Sequence, residues 1–488
     1  MPEQKKTGTL RLTPKRDSAD SGRAPKKTER HKSGARAHQR TRMQTEQRHA
    51  RPASADATTT TATAAPSPSA PARHNTRSRT RHSHDAGARA QPPLPAGRPE
   101  VAMPGNDERF KIFAPCPKGL EQALAGELVE LGFAGVQAGS AGCRFEGNWQ
   151  DVWRANLYSR LATRILVQVS QARINNEDDL RALALDTAWE RWLGPQQTLR
   201  VDTSAIRSPM QSLQFCNLLV KDSVCDRLRD KEGARPSVDT VRPDVRVHSF
   251  LSADQATLYI DTSGESLFKR GWRFHKTEAP IRENLAAGLL AISNWKADEP
   301  LLDPFCGSGT ILIEAAWQAL GIAPGINRPF AFERLRVHDR QAWQDMRRQA
   351  TESVKHTLSC QLVGCDLSHQ AIEAAKANMQ RAGLKADLID WRVADATTLE
   401  PPTSPGMIVT NPPYGERLEV DENLMSRWAT ELKRHYAQWQ VNIISADLEL
   451  PRSLRLKPKR RVPIYNGALD CRLFMFEMVN EQYRHRPT

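Results

Sequence analysis

Apolar and polar positions over the middle of the chain predict two segments in which helices and strands are mixed. In the first, residues 109–170, strands are predicted at both ends, and helices are expected to begin near Leu120 and Trp149. In the second, residues 178–261, two strand patterns flank the short turn 252–254, which indicates a hairpin. Because these elements do not follow a βαβα order, both segments are predicted to have α+β folds.

From about residue 280 the pattern changes, and short apolar strands alternate with helices. The predicted strands are 300–303, 361–365, 389–393, 407–410 and 441–445. This alternation predicts a doubly wound parallel sheet of the α/β class, in which ligands bind at the carboxyl ends of the strands. The stretch 322–359 is longer than the connection needs, so we expect it to be an insertion that runs over the surface.

Composition separates the first hundred residues from the rest of the chain. They carry 21 Lys or Arg and 8 Asp or Glu, whereas residues 101–488 carry 49 and 48. They also contain no Phe, Trp, Tyr, Ile or Val, so they cannot bury enough apolar surface to offset the entropy of ordering. Residues 1–106 are therefore predicted to be a disordered basic tail. Two interpretations of the tail stay open, namely a polycation that contacts phosphates and a solubilising extension.

Several protein classes conflict with the sequence. No run of 18 apolar residues is present, so no transmembrane helix and no membrane partner is expected. The first eleven residues are polar, unlike a secretory signal. The eight Cys are scattered without a CxxC pair, which favours the cytoplasm over an oxidising compartment. His residues show no metal-ligand spacing near the motifs described below, so no metal is expected.

The strand at 300–303 leads into a glycine-rich turn, DPFCGSGT (303–310), with Gly307 and Gly309. A phosphate-binding P-loop would need a Lys here, and a dinucleotide fingerprint would need a third Gly where Leu312 stands. An amino-acid zwitterion fits better, because its carboxylate accepts from loop N–H groups and its ammonium pairs with Asp303. S-adenosylmethionine has this shape. A purely structural turn is the alternative interpretation.

Two further acids follow the next two predicted strands. Asp366 ends LVGCD, where a carboxylate can accept hydrogen bonds from both ribose hydroxyls. Asp395 ends WRVAD, where it can accept from an adenine amino group. Each acid alone is compatible with an exposed loop, but three strand-end acids in succession favour a nucleoside-bearing ligand.

The fourth predicted strand ends in Asn411, Pro412, Pro413 and Tyr414. The two prolines stiffen the turn. The Asn411 side-chain oxygen and the Pro412 carbonyl can accept the two hydrogens of a planar exocyclic amine, and Tyr414 can stack on the base. The methyl group of a sulfonium is already activated, so positioning matters more than a strong base. A Pro-rich turn without catalytic function is the alternative interpretation.

These motifs together resemble the RlmL-like family of large-subunit ribosomal RNA guanine-N2 methyltransferases. The resemblance covers roughly residues 109–480. It is carried by LYIDTSGESLFKRGWR (258–273), EAPIRENLAAGLL (278–290), DPFCGSGTILIEAA (303–316), NPPYGERL (411–418) and YNGALDCRLFMFE (465–477). The NPPY motif alone also occurs in DNA amino-methyltransferases.

The resemblance implies a Rossmann-like class I methyltransferase domain at 264–488, preceded by a ferredoxin-like segment at 107–150 and a THUMP RNA-binding domain at 151–263. It implies S-adenosylmethionine as donor and N2-methylguanine in 23S rRNA, free or in a pre-ribosomal particle, as product. The implied donor-site residues are Asp303, Phe305, Gly307, Gly309, Thr310, Asp366 and Asp395. The implied target-amine residues are Asn411, Pro412, Pro413 and Tyr414.

The resemblance leaves rival functions open. Some family members continue into a second domain that makes 7-methylguanine, and this activity is not predicted because the sequence stops at Thr488. Stand-alone THUMP methyltransferases of similar shape modify other RNAs, such as tRNA. A DNA adenine-N6 methyltransferase and a non-catalytic RNA-binding ribosome-assembly factor are the further alternatives. The sequence does not indicate an oligomeric state.

Overall fold

The computed structural model describes residues 105, 107–274, 281–403, 405–413 and 423–479 of the 488-residue chain. The basic tail predicted from the sequence lies outside these ranges, apart from Gly105, and so does Tyr414. The described residues contain two β-sheets, one of eight strands and one of seven, which we call the N-terminal and the C-terminal sheet.

The N-terminal sheet joins both predicted α+β segments. Its strands are β1 (Phe110–Pro115), β2 (Ala134–Gly139), β3 (Gly142–Gly147), β4 (Leu166–Arg173), β5 (Thr198–Ile206), β6 (Ser237–Val238), β7 (Val245–Ser252) and β8 (Gln255–Asp261). Their spatial order is β2-β3-β1-β4-β8-β7-β5-β6. Strand β4 pairs antiparallel with both β1 and β8, which makes the sheet continuous. The predicted hairpin is confirmed, because β7 and β8 pair antiparallel.

Four helices accompany this sheet, and local hydrogen bonds explain where two of them begin. The helices are α1 (Glu121–Glu130), α2 (Trp149–Tyr158), α3 (Glu177–Asp186) and α4 (Leu213–Glu232). The Asn148 side chain accepts from the Asp151 N–H while the Asp151 carboxylate accepts from the Asn148 N–H, a capping box that begins α2. Ser212 caps the start of α4, and Gly233 ends that helix in the left-handed region.

The C-terminal sheet has the predicted doubly wound order. Its strands are β9 (Leu301–Asp303), β10 (Leu362–Asp366), β11 (Asp390–Val393), β12 (Met407–Thr410), β13 (Gln440–Ser445), β14 (Arg460–Asn466) and β15 (Leu469–Glu477). The helices are α5 (Glu283–Ile292), α6 (Thr310–Leu320), α7 (Arg340–Glu352), α8 (His369–Arg381), α9 (Leu424–His435) and α10 (Leu450–Ser453). The strand order is β11-β10-β9-β12-β13-β15-β14, with β15 antiparallel to both of its neighbours.

The strand order reverses between β9 and β12, and this reversal positions the candidate site. From β9 the chain proceeds outward through β10 and β11, then returns to β12 on the other side of β9. All of these strands are parallel, so their carboxyl ends share one edge of the sheet. Loops that leave β9 and β12 diverge and open a crevice at that edge, where ligands bind in doubly wound sheets.

The insertion 322–359 corrects one expectation from the sequence. The stretch is an insertion, but one of its faces is buried and does not lie on the surface. Phe332 and Trp343 are buried in the core of the N-terminal sheet, and the Phe332 ring lies 6.1 Å from that of Trp153 and 4.9 Å from that of Trp343. The exposed, charged residues of α7 concealed this aromatic face in the sequence. The insertion therefore fastens the C-terminal sheet to the N-terminal one.

Trp343 provides a test of this packing. We expect Trp343→Ala to lower the free energy of unfolding by about 3–5 kcal/mol, the usual cost of truncating a buried aromatic side chain. Gln349→Ala, on an exposed position of the same helix, should leave it within about 0.5 kcal/mol. Urea unfolding, followed by far-ultraviolet circular dichroism so that the signal does not depend on the removed tryptophan, measures the stability of both variants. Equal stability of the two variants would show that the insertion does not support the N-terminal core.

Candidate active site

The first strand of the C-terminal sheet ends at a buried acid, Asp303, which is 1% exposed. Its Oδ1 accepts a hydrogen bond from the Thr410 hydroxyl at 2.6 Å and from the Phe305 N–H at 3.2 Å. Burial, with a smaller contribution from the charge of Asp366, raises the pKa of Asp303 to about 7 against the lowering effect of these two hydrogen bonds. Asp303 forms no ion pair with any described residue, so a cation bound here would be its natural partner.

The glycine-rich turn after Asp303 needs its glycines for conformation and for space. Gly307 and Gly309 have φ angles of 53° and 80°, in the left-handed region. A Cβ on Gly309 would lie 2.6 Å from the Trp391 ring and 3.0 Å from the Ala375 Cβ. Helix α6 begins at Thr310, and the first N–H groups of a helix have no partner within it. The start of α6 can therefore offer N–H groups to an anion, whereas the N–H groups of Phe305, Gly307 and Gly309 already have partners.

The other two predicted acids lie at the same edge of the sheet. The Asp366 carboxylate accepts from the Gly307 N–H at 3.0 Å and from the Ser368 N–H at 2.9 Å, which orients it toward the glycine-rich turn. Asp395 follows β11 and accepts from the Thr397 N–H at 2.8 Å. Both acids are half-buried. The structure thus brings the three strand-end acids together along neighbouring strands.

Asn411, Pro412 and Pro413 follow β12 directly. Pro412 is buried, and the other two are half-buried. The Asn411 Oδ1 atom is buried and has no hydrogen-bond partner within the part of the chain that the structure describes, which is costly unless a ligand supplies a donor. Asn411 follows Thr410, whose hydroxyl donates to Asp303, so the Asn411 Oδ1 atom lies close to the glycine-rich turn. The predicted stacking residue, Tyr414, lies outside the described residues.

Sequence reasoning missed three residues that shape this site. Thr410 is buried and bridges the two central strands through Asp303. Asn378, buried in α8, donates from Nδ2 to the Ser308 carbonyl at 3.1 Å. Trp391 fills the space that Gly309 and Gly364 leave open. A signal existed for Asn378, since it stands among the apolar positions of its helix (Ala371, Ile372, Ala375 and Met379).

The chemistry of this donor set fits S-adenosylmethionine. Asp303 offers a buried carboxylate to an ammonium group, and the start of α6 offers N–H groups to a carboxylate. Asp366 offers acceptors to ribose hydroxyls. Next to it, Leu367 is 75% exposed and gives an apolar surface at the same edge. Within the described ranges, no group of three or more His, Cys, Asp or Glu side chains could hold a metal ion.

Three family models match the chain in the order expected from the sequence. They are described as the RlmL ferredoxin-like domain (residues 111–166), the THUMP domain (175–261) and the RMKL-like methyltransferase domain (270–474). The chain belongs to the RlmL-like methyltransferase family. The expected fold class is confirmed, and so is S-adenosylmethionine as the cofactor of the family.

Curated relatives of this RlmL-like chain carry the name ribosomal RNA large subunit methyltransferase K/L. The protein from Shewanella amazonensis is 39% identical over 76% of this chain and 53% of its own length. The protein from Syntrophotalea carbinolica is 38% identical over 77% of this chain and 55% of its own length. The chain therefore spans about half the length of the curated relatives it matches.

Solved structures give the same fold. SMU.472, crystallised with S-adenosylhomocysteine, is 29% identical, with a TM-score of 0.70 over 76% of this chain and 99% of that one. A predicted N6-adenine-specific DNA methylase from Listeria monocytogenes is 30% identical, with a TM-score of 0.69 over 76% of this chain and 97% of that one. TrmN from Thermus thermophilus shares the fold at 20% identity and a TM-score of 0.56, over 76% of this chain and 100% of that one.

No helix among the described residues is long and apolar enough to cross a membrane.

The raised pKa of Asp303 predicts a pH-dependent affinity for the donor. Binding an ammonium group requires the carboxylate, so affinity should rise about tenfold per pH unit up to about pH 7 and then level off. In Asp303→Asn the affinity should be low and independent of pH. Calorimetric titration with S-adenosylhomocysteine between pH 5.5 and 7.5 measures this. The same pH profile in the variant would remove Asp303 from the donor site.

Gly309 and Gly383 form a matched pair for testing the turn. Both have positive φ, 80° and 73°, but a Cβ on Gly383 meets nothing within 4 Å. Gly383→Ala should lower the free energy of unfolding by about 1–2 kcal/mol through backbone strain. Gly309→Ala should cost about 1–3 kcal/mol more, because the added methyl collides with Trp391, and should also weaken S-adenosylhomocysteine binding. Unchanged binding in Gly309→Ala would separate the turn from the donor site.

Proposed function

We propose that this RlmL-like protein transfers a methyl group from S-adenosylmethionine to the exocyclic N2 amine of a guanine in 23S rRNA. The observation that carries the proposal is the buried Asn411 Oδ1, which has no hydrogen-bond partner among the described residues and follows β12 at the switch point of the sheet. A buried acceptor of this kind is satisfied by a donor that enters the site. An exocyclic amine has two hydrogens to donate.

The residues after β12 act on the amine by orientation. Asn411 accepts one amine hydrogen through Oδ1, and the Pro412 carbonyl accepts the other. Holding both hydrogens directs the nitrogen lone pair toward the methyl donor. Bound S-adenosylmethionine supplies a methyl group that is already activated by a sulfonium. In the transfer, the N–C bond forms as the S–C bond breaks and releases S-adenosylhomocysteine, and the proton lost by the methylated amine passes to solvent. The site therefore needs alignment and exclusion of water during the transfer rather than a strong base.

The residues after β9, β10 and β11 hold the donor in this proposal. Asp303 pairs with the ammonium group, and the N–H groups at the start of α6 bind the carboxylate. Asp366 and Asp395 accept from the ribose and the adenine, respectively. The remaining residues of the predicted donor set, Phe305, Gly307, Gly309 and Thr310, form the turn. Phe305 packs edge-on against Trp428 of α9 at 5.0 Å, which fixes the outer wall of the turn.

RNA recognition is assigned to the N-terminal sheet. The match to a THUMP domain model over 175–261 supports an RNA substrate, and the names of the curated relatives support large-subunit rRNA. The domain boundaries 107–150, 151–263 and 264–488 remain predictions. A base inside structured RNA has to leave its stack to reach Asn411, so the predicted aromatic Tyr414 would hold the extruded base.

A second candidate is N6-adenine methylation of DNA. The two acceptors after β12 suit the adenine amine as well as the guanine amine, and one similar solved structure carries that name. The THUMP match favours RNA over DNA, and the curated relatives favour ribosomal RNA. A non-catalytic assembly factor would have no use for the acceptor of Asn411.

Asn411→Ala tests the proposal together with loss of the gene. Removing one hydrogen bond that the transition state needs should lower the methylation rate about 10²–10³-fold, with affinity for S-adenosylhomocysteine and RNA retained. Nucleoside mass spectrometry of 23S rRNA from cells carrying wild-type, variant or no gene measures N2-methylguanine. Loss of N6-methyladenine instead would support the second candidate, and no change in any methylated nucleoside would support a binding role.

A further inference from the structure

An exposed basic surface lies on the methyltransferase region far from the candidate active site. The segment 450–461, which follows β13 and runs into the first two residues of β14, has no Asp or Glu. It carries six exposed cationic side chains, which we call the basic ridge: Arg452, Arg455, Lys457, Lys459, Arg460 and Arg461. Within the described part of the chain, Lys459 pairs with Glu477, whereas Arg452, Arg455, Lys457 and Arg460 form no ion pair.

The ridge and the glycine-rich turn lie at opposite edges of the C-terminal sheet. Gln440 begins β13 at the amino edge and pairs with Glu477, and Arg460 pairs with Met475 two residues away. Thr410 and Asn411 are at the other edge, where β12 ends. The six residues of β13 span about 20 Å between the two edges.

A second basic element adjoins the ridge. Helix α9 ends with Lys433, Arg434 and His435. The Lys433 ammonium donates to the Leu454 carbonyl at 3.1 Å, which ties the end of this helix to the ridge. Glu431 offsets part of the charge, since it pairs with Arg434 and His435. The combined surface remains strongly positive.

Arg455 follows the short helix α10 and has a φ of 50°, in the left-handed region. Glycine is the residue that usually ends a helix in this way, and a non-glycine residue there costs about 1–2 kcal/mol. Replacing Arg455 by glycine therefore removes a cation from the ridge without adding backbone strain.

We propose that the basic ridge binds phosphate groups of the RNA substrate at a distance from the methylated base. The inference rests on the proposed RNA methyltransferase function and adds a substrate requirement to it. Because ridge and active edge are about 20 Å apart, an RNA that contacts both must extend well beyond the target base. The ridge has cations without exposed aromatic residues among them, so it contacts phosphates and does not read sequence.

The test uses the full chain with Arg455→Gly, Lys457→Gln and Arg460→Gln combined. The glycine relieves backbone strain, so loss of folding does not explain a loss of binding. Affinity for transcribed 23S rRNA at about 0.15 M salt should fall roughly tenfold or more, and the slope of log affinity against log salt should flatten by about two to three. Affinity for S-adenosylhomocysteine and the methylation rate at saturating RNA should be unchanged.

A control with the same charge change combines Lys296→Gln, Lys355→Gln and Lys385→Gln. These exposed residues lie before β9, β10 and β11, at the same edge of the C-terminal sheet as the ridge but separated from β14 by at least three strands. Equal losses in both variants would show that net charge alone matters and would overturn the proposal, as would unchanged RNA affinity in the ridge variant. A larger loss of affinity in the ridge variant for an acidic polypeptide such as polyglutamate than for rRNA would assign the surface to a protein partner. That result would also overturn the proposal.

The two proposals can fail separately. A wild-type protein that methylates no rRNA, but whose rRNA binding depends on the ridge, would reject the proposed function and keep the ridge as an RNA surface. A protein that methylates rRNA fully, with binding that ignores the ridge, would reject the ridge alone.

Discussion

The architecture depends on one buried charge, the carboxylate of Glu314. This residue lies in α6, the helix that begins at the end of the glycine-rich turn. Glu314 is fully buried. It forms an ion pair at 3.2 Å with Arg270, which belongs to the segment that joins the two sheets. Arg270 also donates to the Arg160 carbonyl at 2.6 Å in the N-terminal region. Burying such charges is expensive unless their partners stay in place. The helix that follows the glycine-rich turn is therefore held against the N-terminal region.

Other contacts make the same connection at separate points. The aromatic face of the insertion packs into the N-terminal core, and the Lys118 carbonyl accepts from the Tyr465 N–H at 3.1 Å, beside β14. Gly288 of α5 lets Leu120 approach closely, since a Cβ there would lie 2.5 Å from a Leu120 methyl. The two sheets are thus fixed to each other. In the function proposed above, RNA held by the N-terminal sheet would meet the active edge at a constant distance, and the target base would have to move rather than the protein.

Charge is divided between the two edges of the C-terminal sheet. The active edge carries Asp303, Asp366 and Asp395, which suit a cationic donor but repel a phosphate backbone. The opposite edge carries the basic ridge. If the proposed RNA substrate is correct, attraction for it comes from surfaces away from the acidic edge. This division would let the donor site stay acidic in a protein that binds a polyanion.

The sequence by itself determined the parallel strands, the acids at their ends and the turn that begins at Asn411, because strand periodicity and turn chemistry are local properties of the chain. It did not predict β2, whose residues are nearly all exposed and show no apolar alternation. It also misplaced the insertion and missed Thr410 and Asn378. Their roles arise from partners distant in the sequence, as when Thr410 bonds Asp303 107 positions away. Tertiary structure alone decides such contacts, because it sets which buried polar groups meet and which apolar faces are covered.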